Sequence, residues 1–310
     1  MVVNVLFAAG RQRWAEYEAP LREAIAAVGV AAHVATEIAP EDVDYIVYAP
    51  NSKLQDFTPY TNTKAVLNLW AGVEAVVDNP TLKVPLARMV DPALTQGMVE
   101  WVTGHVLRHH LGMDRHIHAQ PGDWVHAPPP LSWDRKIGIL GLGELGTASA
   151  QMLSRIGFNV TGWSRSAKEI EGVAAAHGAR GLRDVLTGSE ILVLLLPDTP
   201  ATENILNADT LAFLPRGAVI LNPGRGPLID DGALLSALDA GQIGHATLDT
   251  FRLEPLPADH PYWRHPMVTV TPHIASDTRS DYASKTIAEN ISRGESGLPF
   301  VNLVDRDRGY

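Results

Sequence analysis

The stretch ILGLGELGTA, Ile139 to Ala148, decides the fold class of this chain. It follows the apolar run KIGIL and contains Gly141, Gly143 and Gly146 in the spacing G-x-G-x-x-G. Gly141 allows a tight turn, Gly143 lets the backbone approach a pyrophosphate, and Gly146 lets a helix and a strand pack closely. The pattern predicts a dinucleotide-binding turn whose helix N-terminus stabilises the pyrophosphate charge. The alternative is a tight strand–helix turn that holds no ligand.

Strand patterns and helix patterns alternate along the chain. The strand patterns are apolar on both faces, as in parallel sheets that helices cover on each side. The alternation predicts an α/β fold with doubly wound parallel sheets. A last helix, from about Asp281 to Arg293, follows every predicted strand, so we expect it to return to the first part of the chain. The predicted strands are VVNVLFA, YIVYAP, AVLNLW, KIGIL, FNVTGW, ILVLLLP, GAVILN, HATLDT and VTVTPH; LREAIAAVG is predicted as a helix and PGDWVHAPPP as a linker.

Composition excludes several classes of partner. The 310 residues carry a formal net charge of −10 with both signs spread along the chain, whereas nucleic acids and acidic membranes need a cationic surface. The absence of cysteine excludes disulfides and thiolate chemistry. The apolar start, MVVNVLFAAG, lacks a basic n-region, and no window approaches the roughly 18 apolar residues of a membrane helix. We expect a cytoplasmic protein without a nucleic-acid or membrane partner.

The segment VTGWSRS, Val160 to Ser166, lies where an NAD site usually carries an acidic residue that binds the ribose 2′-hydroxyl. Here the chain has Ser164, Arg165 and Ser166 instead. A carboxylate would repel a 2′-phosphate, whereas hydroxyls and a guanidinium suit a phosphate dianion. The segment therefore predicts NADP(H). In the alternative interpretation Arg165 is a solvated surface residue and the site does not select between the two cofactors.

Three further segments each start at the carboxyl end of a predicted strand. They are LNPGRGPLID (Leu221 to Asp230), TLDTFRLEPLP (Thr247 to Pro257) and TPHIAS (Thr271 to Ser276). In an open α/β sheet these ends face the ligand crevice. We therefore expect an arginine, a glutamate and a histidine to converge beside the nicotinamide.

These three side chains suit hydride transfer between a nicotinamide and a 2-oxo or 2-hydroxy acid. Arg225 can hold a carboxylate with two parallel hydrogen bonds and polarise a neighbouring carbonyl. His273 can exchange a proton with the substrate oxygen near neutral pH, and Glu254 would favour the imidazolium and orient its ring. The alternatives are a surface turn for Arg225, a solvated loop acid for Glu254 and a structural histidine for His273.

Taken in order from Gly141 to Ser276, the motifs G-L-G-E-L-G, N-P-G-R-G-P-L-I-D, L-D-T-F-R-L-E-P-L-P and T-P-H-I-A-S resemble the D-isomer-specific 2-hydroxyacid dehydrogenase family. The segments LWAGVEAVV (Leu69 to Val77), WSRS and PLPADHPYWRHP (Pro255 to Pro266) are similar to its NADPH-dependent glyoxylate/hydroxypyruvate reductase A subfamily. The resemblance implies a homodimer, and in each chain a Rossmann nucleotide-binding domain, residues 101–275, inserted into a flavodoxin-like substrate domain, residues 1–100 and 276–310.

The resemblance also implies roles for individual residues. It makes Arg225 the carboxylate anchor, Glu254 the histidine partner and His273 the acid/base. We expect no metal site. The backbone N–H groups of Gly72 and Val73 would bind the substrate carboxylate. The other implied substrate contacts are Tyr48 and Arg88, and the implied cofactor contacts are Gly141, Gly143, Glu144, Leu145 and Gly146 at the pyrophosphate, Trp163, Ser164, Arg165 and Ser166 at the 2′-phosphate, Leu196 and Pro197 at the adenosine, Asn222, Pro223 and Gly224 along the nicotinamide half, Asp249 at the carboxamide, and also His273 and Ser276.

Two positions depart from the family pattern. Pro223 occupies a place where the family more often has another small residue, and a proline offers no N–H donor. Tyr48 occupies a place where the subfamily pattern has tryptophan, which changes the expected substrate pocket. Arg88 has two interpretations, a substrate contact or a partner of a loop carboxylate.

Two other groups of residues have competing interpretations. Trp263 and Arg264 would line the substrate entrance or pack beneath a loop. His105 and His109 lie one helical turn apart within HVLRHHLGMDRHIH, as metal ligands can, but no third ligand has a suitable spacing. We interpret this run as a polar helix that joins domains or meets a second subunit.

The expected activity is NADPH-dependent reduction of glyoxylate and hydroxypyruvate to D-2-hydroxy acids. This choice of substrates follows from the subfamily resemblance. One alternative is a 2-hydroxyacid dehydrogenase for a larger or branched 2-oxo acid. Another is a catalytically silent NADP(H)-sensing protein on the same fold, since a fold alone does not fix a function.

Overall fold

The computed structural model describes residues 2–309, which form two compact units. Unit 1 comprises the chain up to residue 94 together with the chain from residue 277, and unit 2 is Thr95–Ser276. The strands are β1 (Val3–Ala8), β2 (Ala32–Ala35), β3 (Tyr45–Tyr48), β4 (Ala65–Asn68), β5 (Leu86–Ala87), β6 (Lys136–Leu140), β7 (Asn159–Ser164), β8 (Ala174–His177), β9 (Ile191–Leu194), β10 (Ala218–Asn222), β11 (Ile243–Leu248) and β12 (Val268–Val270). The α-helices are α1 (Arg11–Ala27), α2 (Glu74–Val77), α3 (Pro92–His110), α4 (Met113–His118), α5 (Glu144–Ile156), α6 (Gly178–Gly188), α7 (Ala208–Leu211), α8 (Asp231–Asp239) and α9 (Ser280–Glu295).

Unit 1 contains a five-stranded parallel sheet in the order β2-β1-β3-β4-β5. Strands β3 and β4 are buried along their whole length, as their continuous apolar sequences predict. Helix α9 packs against α1, and Ile287 and Ile291 join Leu21 and Ile25 in one apolar core. The last helix of the chain therefore completes the core that the first helix begins.

Unit 2 contains a seven-stranded parallel sheet in the order β12-β11-β10-β9-β6-β7-β8. The order reverses between β6 and β9, and in such sheets a ligand binds outside the carboxyl ends of the strands at that reversal. Two parallel α/β units, with a Rossmann strand order in one and the flavodoxin-like order in the other, confirm the predicted fold class.

The short edge strands are the main elements that the sequence did not predict. Strand β8 reads AAAH and is largely exposed, and β5 has only two residues, so neither carries the apolar run that marks a central strand. The predicted linker PGDWVHAPPP consists of a turn and irregular backbone. Among residues 2–309, no helix combines the length and the apolar character that crossing a bilayer requires.

Candidate active site

The glycine-rich turn joins β6 to α5 and has the geometry that a dinucleotide needs. Gly141 has φ +107°, and a Cβ on it would lie 2.4 Å from the carbonyl oxygen of Leu195. A Cβ on Gly146 would lie 1.8 Å from the Gly141 carbonyl oxygen, so no side chain fits between the helix and the turn at this position. At Gly143 a Cβ would enter open space instead. The backbone before α5 is therefore accessible to a pyrophosphate, and the turn fits this group.

The WSRS segment ends β7 and combines structural and exposed side chains. Ser164 is buried, and its hydroxyl donates to the Ser166 carbonyl over 2.8 Å, so this side chain shapes the turn. Arg165 and Ser166 are exposed. Lys168, which the sequence analysis did not select, donates from Nζ to the Leu142 carbonyl over 2.5 Å, within the glycine-rich turn. Its position two residues after the segment was the only sequence signal for this second cation.

His273 and Glu254 form a directly bonded pair. The imidazole Nδ1 lies 2.7 Å from the Glu254 Oε2, and the other carboxylate oxygen accepts the Phe251 N–H over 2.9 Å. His273 has φ +53°, and its own N–H donates to the Asp249 carbonyl over 2.8 Å. The imidazole is about half exposed, with 48% of its side-chain surface accessible. The ring is therefore oriented by the carboxylate on one side and open to solvent elsewhere.

The charges around the pair favour a protonated histidine. The hydrogen bond to Glu254 raises the pKa of His273 against the effects of burial and of the Arg225 charge, both of which lower it. Burial raises the pKa of Glu254, but the hydrogen bonds from His273 and from the Phe251 N–H bring it below its ordinary value. Both shifts favour the form of the pair in which the imidazole is protonated and the carboxylate is charged, and an imidazolium can donate a proton.

Asp249 lies at the end of β11 and is fully buried. One carboxylate oxygen accepts the Thr271 hydroxyl over 2.6 Å and the Ile274 N–H over 2.9 Å, and the other accepts the Ala275 N–H over 2.9 Å. These bonds bracket His273 on both sides. The structure thus places Asp249 behind the histidine loop, and its contact with a nicotinamide carboxamide stays a prediction.

The loop that carries Arg225 is fixed by its neighbours. The buried Asn222 amide donates to the Arg225 carbonyl over 2.9 Å, and its oxygen accepts the Gly224 N–H over 3.2 Å. Gly226 lies so close to the next loop that a Cβ on it would be 2.0 Å from the carbonyl carbon of Phe251. The arginine loop is thus packed directly against the loop that supplies the histidine partner. The Arg225 charge also lowers the pKa of both members of the pair, as a nearby cation does.

Arg252, which the sequence analysis also did not select, connects the same two loops. Its Nη2 donates to the carbonyls of Pro227 over 3.2 Å and Ile229 over 2.8 Å, and to the Asn204 side chain. Its Nε lies 3.7 Å from the Asp231 carboxylate. The residue stands between Phe251 and Glu254 in the chain, so its guanidinium holds the segment after Arg225 against the glutamate loop.

The remaining predicted cofactor residues lie along the carboxyl ends of the unit 2 strands or beside the glycine-rich turn. Leu196 and Pro197 follow β9, where the Pro197 carbonyl accepts the Thr202 hydroxyl over 2.7 Å. Glu144 and Leu145 open α5, and the Trp163 indole N–H donates to the Gly178 carbonyl over 2.8 Å. The others are Pro223 and Gly224, which are buried after β10, and Ser276, which is half-buried after β12.

The predicted substrate residues Tyr48, Gly72, Val73 and Arg88 belong to unit 1. Tyr48 is fully buried against Phe57, with the ring centroids 5.4 Å apart. Burial raises the pKa of its phenol, which accepts a long, 3.4 Å hydrogen bond from Gln55. This gives Tyr48 a place in the core, and its contact with substrate stays a prediction.

The other three follow β4 and β5. The buried Asn68 donates to the carbonyls of Trp70 and Gly72 over 2.9 and 3.0 Å, which fixes the loop before Val73. Arg88 follows β5 and is half-buried.

His109 of α3 packs against β11 in unit 2. His109 Nε2 lies 2.9 Å from the Thr247 hydroxyl, and the ring is 4.8 Å from that of His245. Among residues 2–309, no three His, Asp or Glu side chains are grouped to hold a metal ion. Trp263 is about half exposed and donates from its indole to the Pro257 carbonyl over 2.9 Å, a contact within its own loop.

Comparisons with known proteins agree on one family. Residues 103–275 match the family model "D-isomer specific 2-hydroxyacid dehydrogenase, NAD binding domain". The chain is 42% identical over 255 residues to a glyoxylate/hydroxypyruvate reductase A of Serratia proteamaculans, covering 80% of this chain and 82% of that protein. It is 41% identical over 255 residues to one of Yersinia enterocolitica, covering 80% of this chain and 82% of that protein.

Solved structures give the same result. A D-isomer specific 2-hydroxyacid dehydrogenase from Xanthobacter autotrophicus Py2, in complex with NADPH and MES, has a TM-score of 0.94 and 40% identity and covers 100% of both chains. An NADPH-dependent glyoxylate/hydroxypyruvate reductase from Sinorhizobium meliloti, in complex with NADP and sulfate, has a TM-score of 0.85 and 35% identity and covers 99% of both chains.

Proposed function

The chain belongs to the D-isomer specific 2-hydroxyacid dehydrogenase family, and from this premise we propose that it reduces glyoxylate and hydroxypyruvate to D-2-hydroxy acids with NADPH. The observation that carries the proposal is the 2.7 Å hydrogen bond between His273 and Glu254. The Arg225 charge acts on the same histidine. A binding protein without catalysis has no need of this acid/base pair.

NADP(H) is the proposed cofactor, and when bound it supplies the hydride. Two features of this chain support it, the accessible backbone at Gly143 and the cations Arg165 and Lys168 near the end of β7. Relatives in complex with NADPH and with NADP add to that support. We assign the 2′-phosphate to Arg165 and Ser166, with Ser164 shaping the segment. The pyrophosphate is assigned to the backbone at Gly143 to Leu145.

We assign the catalytic steps to the following residues of this chain. Arg225 binds the substrate carboxylate and polarises the neighbouring carbonyl. His273 donates a proton to the substrate oxygen as the carbonyl carbon is reduced. Glu254 keeps the imidazole charged and oriented, and Asp249 holds the loop on both sides of the histidine. The buried Asn222 amide keeps the Arg225 loop in place.

We also assign the N–H groups of Gly72 and Val73, together with Arg88, to the substrate carboxylate. Glyoxylate and hydroxypyruvate are small, and the relatives named for these two acids support their choice. A homodimer is part of the proposal because the family resemblance implies one. Trp124 is 95% exposed and Trp133 is 64% exposed, so unit 2 has apolar surface that a second copy could cover.

The test is a set of initial rates, followed as loss of absorbance by NADPH or NADH. The substrates are glyoxylate, hydroxypyruvate, pyruvate and a bulky branched 2-oxo acid. We expect fast turnover of the two small acids with NADPH. Turnover confined to the bulky acid would make the protein a different 2-hydroxyacid dehydrogenase, and tight NADPH binding without any turnover would make it a sensor. Light scattering on the same sample tests the homodimer.

A further inference from the structure

The chain after α9 runs back along the edge of the unit 1 sheet. Leu303 forms an antiparallel bridge with Ala87 in β5. The Arg88 N–H donates to the Asn302 carbonyl over 3.0 Å, and the Val304 N–H donates to the Leu86 carbonyl over 2.9 Å. Strand β5 has only two residues, so these bonds extend an edge strand that is otherwise very short. We call residues 302–306 the C-terminal strap.

Arg306 ends the strap with three hydrogen bonds to residues 77–82, the segment at the end of α2 that we call the α2 loop. Its Nε donates to the Val77 carbonyl over 2.8 Å, its Nη1 to the Leu82 carbonyl over 2.5 Å, and its Nη2 to the Asn79 carbonyl over 3.0 Å. Val77 is the last residue of α2, where backbone carbonyls have no partner inside the helix. A guanidinium offers several donors in a fixed plane, so it can bind three carbonyls that a lysine ammonium would not reach together.

The strap also packs against the apolar layer beneath this loop. Val304 contacts the buried cluster that contains Val73, Val77, Leu82 and Leu86. The same cluster includes residues at both ends of α2 and in β5. The strap therefore fixes the two segments that carry the proposed substrate-binding groups of unit 1.

We propose that Arg306 is a positioning residue for substrate binding. It holds the α2 loop, and the strap pairing holds β5, so that Gly72, Val73 and Arg88 keep their places. Arg306 acts through these residues, since its guanidinium donates to three backbone carbonyls of the α2 loop. This inference rests on the proposed function, which assigns those three residues to the substrate carboxylate.

Nearby Arg308 provides a matched control. It has the same charge two residues later, but it pairs with Asp305 in its own turn over 2.9 Å, and 63% of its side chain is exposed. Removing Arg308 removes one cation from the same end of the chain without touching the α2 loop.

The kinetic test compares Arg306→Ala, Arg306→Lys and Arg308→Ala in the full chain. We expect Arg306→Ala to raise the KM for glyoxylate about tenfold while the NADPH dissociation constant stays within about twofold, since unit 2 binds the cofactor. Arg306→Lys should recover only part of the loss, and Arg308→Ala should match the wild-type chain. An unchanged KM for glyoxylate in folded Arg306→Ala would overturn the proposal. If that variant does not fold, an unchanged KM in folded Arg306→Lys overturns it instead.

Hydrogen exchange gives a readout that does not depend on activity. Peptides covering residues 73–84 should exchange faster in Arg306→Ala than in Arg308→Ala, whereas peptides covering α5 should not change. Equal exchange of residues 73–84 in the two variants would also overturn the proposal. No turnover by the wild-type chain would refute the proposed function and the substrate role of Arg306 with it. If the wild-type chain turns over and Arg306→Ala has an unchanged KM for glyoxylate, this inference alone is refuted.

Discussion

Units 1 and 2 use the same parallel α/β architecture, but they keep their proposed functional groups in place by different means. In unit 2 the groups follow strands within short motifs, and the bonds that orient them come from the same or adjacent segments, such as Asp249 to Ile274. In unit 1 the α2 loop is held by Arg306, which lies more than 200 residues away in the chain. A local motif reveals the first kind of site, whereas only the fold reveals the second.

The two units also differ in their titratable groups. Eleven of the 12 histidines lie in unit 2, and unit 1 contains only His33. Some of the eleven are buried in the interior of unit 2 rather than in the candidate site. We therefore expect low pH, point substitutions and the replacement of NADPH by NADH to affect the two units unequally.

The largest expected effect comes from replacing His273. This substitution should remove the proton donor in unit 2 and leave the groups of unit 1 in place. His273→Gln should lower kcat by about 10²–10⁴, the usual contribution of a positioned acid or base. Fluorescence titration with NADPH should give an unchanged dissociation constant, and circular dichroism an unchanged spectrum. A kcat within a few-fold of wild type would remove His273 from the mechanism.

Glu254→Gln provides a control for this assignment. Glu254 raises the pKa of His273, so the imidazolium that protonates the substrate persists to higher pH in the wild-type chain. The amide variant should lose reductive activity at a lower pH than the wild type as pH rises. Identical pH profiles for the two proteins would show that Glu254 does not control the protonation of His273.

These differences explain what could be predicted from the sequence. The motifs gave the fold class, the turn at Gly141 and the expectation that Arg225, Glu254 and His273 converge, because carboxyl ends of parallel strands meet at one edge. Lys168 was missed because a lone cation beside a motif has no pattern of its own. Arg252 lies inside a motif, but the motif does not show which carbonyls its guanidinium binds. Strand β5 and Arg306 were missed because both depend on contacts between distant segments.

The second prediction concerns acid stability, which should divide the units. Burial lowers the pKa of His109 to about 3 and that of His245 to about 4, from an ordinary value of 6.5. The neighbouring charges are Arg108, Asp114, His105 and His265. The folded state keeps both imidazoles neutral, whereas the unfolded chain protonates them near pH 6.5. Their contribution to stability is therefore complete above pH 6.5 and declines as pH falls towards 4.

The measurement is denaturant unfolding between pH 7 and pH 4.5, with hydrogen exchange to separate the units. We expect a loss of about 2 kcal/mol per pH unit from the two groups together, confined to unit 2. His109→Gln keeps a hydrogen-bonding amide near Thr247 and should make the decline shallower. His33→Gln in unit 1 is the control and should not change it. Equal slopes for both variants would contradict the assignment.

Third, the cations after β7 should decide between NADPH and NADH. Arg165→Ala combined with Lys168→Ala should raise the KM for NADPH about 10- to 100-fold, since hydrogen bonds to charged groups contribute roughly 1.5–3 kcal/mol. The KM for NADH should change little, because NADH lacks the 2′-phosphate. Equal losses for both cofactors would mean that these residues support the fold of unit 2 and do not select the cofactor. Steady-state kinetics with both cofactors provide the measurement.

The smallest expected effect tests whether unit 2 also contains a positioning arginine, which would weaken the contrast with unit 1. Arg252 joins the segment after Arg225 to the glutamate loop, but one third of its side chain is exposed and the loops have other bonds. We expect Arg252→Ala to raise the KM for glyoxylate about fivefold, an effect about as large as one modest hydrogen bond contributes. In an Arg225→Ala background the same change should add nothing, because Arg252 acts through that loop. If the losses from Arg225→Ala and Arg252→Ala add in the double variant, Arg252 acts independently of Arg225. Unit 2 would then contain no arginine that positions the Arg225 loop, and its contrast with unit 1 would stand.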